Sequence, residues 1–210
     1  PERRAYLKSL GIAFKDATCP DVGIVAGKIR LHAKKGYTTV IFGDRNHPEV
    51  IGLMGYTEGR GHPVKSREDI DALPPLGDKV VMVSQTTMFT DEFHELADHL
   101  KRTYPDTLVF DTICGATKDR QGDIAVLHEA GAEAFVVIGG HHSANTCKLA
   151  MLARKTGLPT YHIETAREID VEEMSRFRSL GVTAGACTPE FRISEICNQL
   201  AAIDPRPQPV

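Results

Sequence analysis

Short apolar runs alternate with helical patterns along most of the 210-residue chain. The runs are apolar throughout instead of alternating with polar residues, which is typical of parallel strands buried on both faces. The predicted strands are 38–42, 79–84, 108–111, 134–138, 160–163 and 182–184. The predicted helices are 22–34, 91–102, 119–130, 145–155, 171–178 and 189–201. This order predicts an α/β fold of repeated three-layer modules, in which small parallel sheets are flanked by helices.

The chain repeats a polar motif after two of its apolar runs. Asp-Ala-Thr-Cys occupies 16–19 and Asp-Thr-Ile-Cys occupies 111–114, so Cys19 and Cys114 are equivalent. The glycines Gly43 and Gly139 recur at nearly the same spacing, and 81–87 resembles 181–187. Functional groups gather at the carboxyl ends of parallel strands. The repeat therefore predicts that the two thiols and the strand-end polar residues serve one composite site.

The same repeat predicts the domain organisation. The first residues resemble those before Cys114: a helix that ends at Gly11, then a strand over 12–16. The chain also begins with Pro1 and not Met. We expect 1–18 to be the end of a missing upstream module, and 19–113 and 114–203 to be two α/β modules. Residues 55–75 are turn-rich around a short helix after Ser66, and 204–210 hold three prolines, typical of a disordered tail.

Composition excludes several classes of protein. Apolar residues make up 41 % and charged residues 25 % of the chain, as in ordinary globular proteins. A net charge of −3 leaves no basic footprint for nucleic acid or membrane binding, and no apolar run is long enough to span a bilayer. Five widely spaced cysteines do not form a secreted disulfide pattern. These features predict a cytoplasmic protein with reduced thiols.

The equivalent cysteines are the first candidates for chemistry. Thiolates bind iron–sulfur clusters and zinc, and the absence of a Cys-x-x-Cys pair disfavours a zinc ribbon. Three thiolates from three modules would leave one cluster iron open to a substrate. The alternative is that Cys19 and Cys114 are small buried residues; Cys147 and Cys197, on apolar helix stripes, are interpreted in that way.

His47 and Glu49 follow the strand at 38–42. A carboxyl and an imidazole at a strand end suit a proton donor, Glu49, and an anion contact, His47. The alternative is structural: Asn46 caps the next helix and Glu49 completes a capping box.

Two further strand ends carry polar groups. Ser143 and Asn145 follow a glycine turn at 139–140, which suits a phosphate cradle, although Ser143 alone could be a helix cap. Gln85 and Thr86 follow another strand, with Cys187 as the counterpart in the repeat. Their groups could bind substrate oxygen or relay protons, or could simply satisfy strand-end backbone.

These motifs, in this order, resemble the LytB family of 4-hydroxy-3-methylbut-2-enyl diphosphate reductases over nearly the whole chain. They are Asp-Ala-Thr-Cys-Pro at 16–20, His-Pro-Glu-Val at 47–50, Ser-Gln-Thr-Thr at 84–87, Ile-Cys-Gly-Ala-Thr-Lys-Asp-Arg-Gln at 113–121, Ser-Ala-Asn at 143–145 and Gly-Val-Thr-Ala-Gly-Ala at 181–186. The resemblance implies two of the three modules of a trefoil built around a [4Fe–4S] cluster. It also implies reductive removal of a hydroxyl group from an allylic diphosphate, with electrons from a ferredoxin- or flavodoxin-like donor.

The resemblance also implies roles for individual residues. Cys19 and Cys114 match cluster ligands, and Glu49 matches the proton donor. His47, Ser143 and Asn145 match diphosphate-binding positions, and the strand-end residues Gln85, Thr86 and Cys187 are predicted to bind substrate as well. Thr86 also matches an active-site threonine. Ala144 and Cys187 depart from the family, because serine hydroxyls that face the diphosphate are common at both positions.

Two alternatives stay open. A divergent three-module [4Fe–4S] protein could run a lyase or radical reaction, as quinolinate synthase and diphthamide synthase resemble the same arrangement. A phosphometabolite-binding α/β protein without a cluster is the second.

Overall fold

The computed structural model describes residues 2–204, which form nine helices, one 3₁₀ turn and seven strands. The helices are α1 (Glu2–Ser9), α2 (Pro20–Ala33), α3 (Pro48–Met54), α4 (Arg67–Asp71), α5 (Thr90–Thr103), α6 (Gly115–Glu129), α7 (Ala144–Lys155), α8 (Val171–Met174) and α9 (Glu190–Ala201). The strands are β1 (Thr38–Phe42), β2 (Gly61–Val64), β3 (Val80–Ser84), β4 (Leu108–Val109), β5 (Ala134–Ile138), β6 (Thr160–Ile163) and β7 (Leu180–Ala184). Of the predicted tail, Asp204 is exposed and the rest lies outside the described residues.

The chain divides between Cys114 and Gly115 into two compact units. The first unit contains a four-stranded parallel sheet in the order β2-β1-β3-β4, and the second a three-stranded parallel sheet in the order β6-β5-β7. In both units the first strand of the chain is flanked by strands that follow it. Residue Cys114, expected to open the second module, closes the first unit.

Each sheet is buried on both faces, which explains the continuously apolar strands. In the first unit, Val40 and Phe42 pack into one core, whereas Ile41 packs with α2 and α3 on the opposite face. In the second unit, Val136 and Ile138 face one core, and Phe135 and Val137 face the other. The predicted three-layer α/β architecture with small parallel sheets is therefore confirmed.

The strand predicted over 12–16 is wrong. The helix before it ends as expected, with Gly11 in the left-handed region at φ 68°. Ile12 and Phe14, however, remain 48 % and 37 % exposed, and the segment pairs with no described strand. A segment that forms no backbone hydrogen bonds with a neighbouring strand is not a strand. Ile12 and Phe14 gave a strand-like pattern without such a partner.

Strand β2, which lies within the turn-rich segment 55–75, was not predicted from the sequence. It carries Pro63 opposite Ile41 and lies at the edge of the sheet, where a missing N–H is tolerated.

The predicted helix at 171–178 is also too long, since α8 ends at Met174. Ser175 caps its end and its hydroxyl donates to the Glu172 carbonyl at 2.8 Å, which is local competition with the helical ladder.

The longest described helix, α6, has 15 residues. Among residues 2–204, no helix combines the length and apolar character that crossing a bilayer requires.

Candidate active site

Glu49 and Thr86 form a doubly hydrogen-bonded pair at the carboxyl end of the first sheet. β1 and β3 are adjacent and in register, with Phe42 opposite Ser84, so the residues that follow them are neighbours. The Thr86 N–H donates to Glu49 Oε1 at 2.8 Å, and the Thr86 hydroxyl donates to Glu49 Oε2 at 2.8 Å. Thr86 is buried and Glu49 is half-buried, which keeps the pair largely out of bulk water. The pair can pass a proton between a carboxyl and a hydroxyl.

The same threonine is linked to Cys114. The Cys114 N–H donates to the Thr86 carbonyl at 2.9 Å, and Cys114 immediately precedes α6. Cys19 stands at the equivalent place in the other motif, as the N-cap residue of α2. Both cysteines therefore stand at the amino end of a helix.

Both thiols suit an iron–sulfur cluster. Cys19 is exposed, Cys114 is half-buried, and none of the five cysteines forms a disulfide bond. The alternative that Cys19 and Cys114 are small core residues is wrong, because neither belongs to a described apolar core. Within residues 2–204, no group of three or more His, Cys, Asp and Glu side chains is arranged to hold a single metal ion. Thiolates are the ligand type that iron–sulfur clusters take, and the role of Cys19 and Cys114 as ligands stays a prediction.

His47, and not Asn46, is the N-cap residue of α3. The Nδ1 atom of His47 accepts from the Glu49 N–H at 3.2 Å, and Pro48 occupies the first helical position. The expected Asn46 cap is wrong because its N–H is used in a turn on Asp44 Oδ1 at 2.9 Å. With Nδ1 accepting, the neutral ring carries its proton on Nε2, where it can donate to an anion.

Gln85 is buried beneath these groups. Its Oε1 accepts from the Asp44 N–H at 3.0 Å, and its Nε2 donates to Thr87 Oγ1 at 3.0 Å. A Cβ at Gly43 would lie 2.8 Å from the Gln85 side chain, so this glycine permits the close approach. The amide of Gln85 is therefore engaged within the protein, and its predicted contact with substrate stays a prediction.

A cavity of about 480 Å³ opens beside Glu49 in the first unit. Thr18, the neighbour of Cys19, lines the same cavity, and so do Arg4, Arg30 and Tyr56. Sequence reasoning missed these last three, because single arginines and tyrosines outside a motif give the same signal as an ordinary solvated surface. The volume lies in the range of small-ligand sites.

The second unit presents the predicted anion-binding residues. Ser143 is the N-cap residue of α7, and its Oγ accepts from the Thr146 N–H at 3.4 Å, so the alternative of a helix cap is confirmed. Asn145 is 6 % exposed, and neither Oδ1 nor Nδ2 has a hydrogen-bond partner in the described structure. Such an amide is costly to leave unpaired, so Asn145 has the capacity to bind a ligand.

A second cavity, of about 310 Å³, is lined by Ser143, exposed Cys187 and Thr188. The amino ends of α7 and α9 both border it, and their free N–H groups favour anions. Arg192 and Glu164 also line this cavity, and the sequence analysis named neither. Arg192 forms an ion pair with Glu195 at 2.9 Å.

The Glu168 carboxylate forms hydrogen bonds beside the glycine turn that precedes Ser143. Its Oε1 accepts from the Thr165 N–H at 2.7 Å, and its Oε2 contacts His141 Nε2 at 2.9 Å. Burial raises the pKa of Glu168, but the hydrogen bonds from His141, Thr165 and the Glu164 N–H outweigh it and leave the pKa below its ordinary value. The carboxylate is therefore ionised at neutral pH.

We expect Glu168→Gln to lower the free energy of unfolding at pH 7 by about 0.2–1 kcal/mol, because the negative charge beside His141 is lost while Gln Oε1 can still accept from the Thr165 N–H. A carboxyl whose pKa is lower in the folded state stabilises the protein above its unfolded pKa, and that contribution disappears as the pH falls through the folded pKa. Denaturant titrations at pH 7 and pH 4 should therefore show a smaller acid-induced loss in the variant. Exposed Glu129→Gln on α6 is the control, and equal losses in the two variants would contradict the role of Glu168.

Comparison with known proteins places this arrangement in a family. The profile described as LytB protein matches residues 1–201. A 4-hydroxy-3-methylbut-2-enyl diphosphate reductase of Opitutus terrae is 68 % identical over 203 residues, which are 97 % of this chain and 70 % of the relative. A protein of the same name from Alkaliphilus oremlandii is 39 % identical over 190 residues, covering 90 % of this chain and 67 % of the relative.

Two solved structures are also similar. E-1-hydroxy-2-methyl-but-2-enyl-4-diphosphate reductase from Plasmodium falciparum matches with a TM-score of 0.85 at 28 % identity, over 94 % of this chain and 63 % of that one. (E)-4-Hydroxy-3-methyl-but-2-enyl diphosphate reductase, described as the terminal enzyme of the non-mevalonate pathway, matches with a TM-score of 0.65 at 34 % identity, over 97 % and 73 %.

The matched proteins are α/β reductases of a small organic diphosphate. The chain belongs to the LytB family. It spans 63–73 % of the length of these four proteins. The predicted family and fold are confirmed, and the relatives carry the name of the reaction that the resemblance implied. The roles of individual residues stay predictions.

Proposed function

We propose that this chain carries the proton donor, two cluster ligands and diphosphate-binding residues of a 4-hydroxy-3-methylbut-2-enyl diphosphate reductase. The pairing of Glu49 with Thr86, and of Thr86 with Cys114, is the observation that carries the proposal. It joins a carboxyl, a hydroxyl and a thiol residue by direct hydrogen bonds. A phosphometabolite-binding protein without redox chemistry has no need of this combination.

The reaction replaces a carbon–oxygen bond by a carbon–hydrogen bond. It consumes two electrons and two protons, and the hydroxyl group leaves as water. Glu49 supplies a proton through Thr86 Oγ, which can accept from the carboxyl while it donates to the leaving oxygen. The half-buried position of the pair limits competing exchange with solvent.

Cys19 and Cys114 would hold the [4Fe–4S] cluster, together with donors from outside this pair. The bound cluster supplies the electrons and a Lewis-acidic iron for the substrate hydroxyl. A ferredoxin- or flavodoxin-like protein is the proposed electron donor. We place the reaction in the cytoplasm, a proposal supported by five cysteines that form no disulfide bonds.

His47 in the first unit, and Ser143 and Asn145 in the second unit, are the proposed diphosphate-binding residues. His47 offers its Nε2 proton, Ser143 lies at the amino end of α7, and Asn145 has an amide in need of partners. Ala144 and Cys187 supply no hydroxyl group at positions where serine is common in the family. Each missing hydroxyl would weaken diphosphate binding by about 0.5–1.5 kcal/mol.

The proposal is tested with the full-length protein encoded in its genome, reconstituted anaerobically with iron and sulfide. The reduced protein should convert 4-hydroxy-3-methylbut-2-enyl diphosphate to isopentenyl and dimethylallyl diphosphates, which are separated by chromatography. A protein that assembles a cluster but consumes no substrate would contradict the reductase function.

Replacing Asn145 should change the stability of the protein and its affinity for substrate in opposite directions. We expect Asn145→Leu to raise the free energy of unfolding by about 1 kcal/mol, because two buried unpaired amide atoms are removed. The same change should raise KM about 10-fold, since one hydrogen bond to a charged ligand is lost.

Denaturant unfolding and steady-state kinetics measure the two effects. Exposed Asn198→Leu on α9 is the control, and neither quantity should change in it. A lower stability of Asn145→Leu together with an unchanged KM would show that the amide serves the fold instead of the substrate.

A further inference from the structure

Both candidate cluster ligands are preceded by the same side-chain turn. In the first motif, the Thr18 N–H donates to Asp16 Oδ1 at 3.0 Å. In the second, the Ile113 N–H donates to Asp111 Oδ1 at 3.1 Å. In each case an aspartate closes a turn with the residue two positions later, and the cysteine comes next. The internal repeat therefore extends from sequence to hydrogen bonding.

The second oxygen of each carboxylate is also occupied in the same way. Arg4 Nη2 on α1 lies 2.8 Å from Asp16 Oδ2, and His94 Nε2 on α5 lies 3.4 Å from Asp111 Oδ2. Each turn is thus tied to a basic side chain of a helix. Hydrogen bonds from the Thr18 side chain and N–H keep the pKa of Asp16 below its ordinary value, so it is ionised at neutral pH.

Packing alone does not account for the first of these turns. Residues 12–19 have no regular secondary structure, and all of them are exposed. Asp16 is nevertheless held by Arg4, and Arg4 Nη2 also donates to Thr18 Oγ1 at 2.8 Å. A network of charged hydrogen bonds on an exposed segment is a feature that fixes a backbone position where no core does so.

We propose that Asp16 and Asp111 are positioning residues that hold Cys19 and Cys114 in place as cluster ligands. This inference rests on the proposed function. Each turn sets the direction in which the chain enters the following helix, α2 or α6, and so fixes the cysteine at the helix amino end. Side chains that orient metal ligands in this way commonly change metal affinity 10- to 100-fold.

Substitution by asparagine or by glutamate distinguishes the effect of the hydrogen-bonded turn from the effect of the carboxylate charge. Asn keeps an Oδ1 acceptor for the N–H two residues later but loses the charge. Glu keeps the charge, but its longer side chain does not close the same turn. The test therefore uses Asp16→Asn, Asp16→Glu, Asp111→Asn and Asp111→Glu in the full-length protein. Asp78→Glu, at an exposed position before β3, is the control.

The readouts are bound iron and sulfide after anaerobic reconstitution, the rate at which a chelator removes the iron, and the electron paramagnetic resonance spectrum of the reduced cluster. We expect both Glu variants to lose iron about 10-fold faster than the wild type or to fail to load, whereas both Asn variants resemble the wild type. Circular dichroism and thermal unfolding establish that each variant is folded. The rescue by Asn separates a positioning role from general destabilisation.

Normal loading and an unchanged spectrum in both Glu variants would overturn the inference. Equal loss in the Asn and Glu variants would also overturn it, because keeping the turn would then not preserve the cluster. If the Glu variants unfold, the Asn variants alone decide: they must keep the wild-type iron content and rate of iron loss. A wild-type protein that takes up no cluster would instead contradict the proposed function.

Discussion

Glu49→Gln should lower kcat by about 10²- to 10⁴-fold while the cluster content stays unchanged. Gln is nearly isosteric with Glu, so its Oε1 can still accept from the Thr86 N–H. Its amide nitrogen can donate to Thr86 Oγ, which preserves the pair. What disappears is the exchangeable carboxyl proton, because an amide does not serve as a general acid at neutral pH.

Single-turnover and steady-state assays with the chemically reduced protein measure the effect. Iron and sulfide analysis shows whether the cluster is intact. Exposed Glu92→Gln, in the first turn of α5, is the matched control and should keep full activity. A Glu49→Gln protein that retains wild-type turnover would exclude the carboxyl as proton donor.

Cys19→Ser and Cys114→Ser should each abolish assembly of a stable [4Fe–4S] cluster. A serine hydroxyl is a poor substitute for a thiolate toward iron–sulfur clusters. Both cysteines precede helices and neither is part of a core, so the change should leave the fold intact. Activity should disappear with the cluster.

Visible charge-transfer absorbance and iron content provide the measurement after anaerobic reconstitution of the full-length protein. Cys197→Ser is the control: this half-buried cysteine packs against the apolar core of the second unit, and its replacement should affect stability more than iron uptake. A normal iron content in Cys19→Ser or Cys114→Ser would remove that residue from the ligand set.

The interior strands β1 and β5 were the most predictable part of the fold. Both have the predicted bounds, because continuous apolar runs bounded by polar strand ends leave few alternatives. The edge strand β2 could not be found in this way, since glycine and proline dominate its pattern and only pairing with β1 makes it a strand. Conversely, Ile12 and Phe14 gave a strand signal without a partner.

The residues of the candidate site also differ in how far the sequence could predict them. Glu49, Thr86 and the cysteines were found because the repeat placed them at strand ends. The role of His47 as a cap depended on a single-residue shift of the helix start, which sequence patterns do not resolve. The cavity residues Arg4 on α1, Arg30 on α2 and Tyr56 in the turn after α3 are far apart in sequence, and only the folded chain brings them beside Glu49.

The strand order of the sheets has a consequence for biosynthesis. In each sheet the first strand to leave the ribosome, β1 or β5, becomes the middle strand, and both of its neighbours emerge later. The nascent β1 therefore keeps one edge unpaired until β2 has been translated, and the other edge unpaired until residues 80–84 follow. At about 5–20 residues per second, that interval lasts several seconds. During synthesis, this segment is the part of the nascent chain most in need of a chaperone.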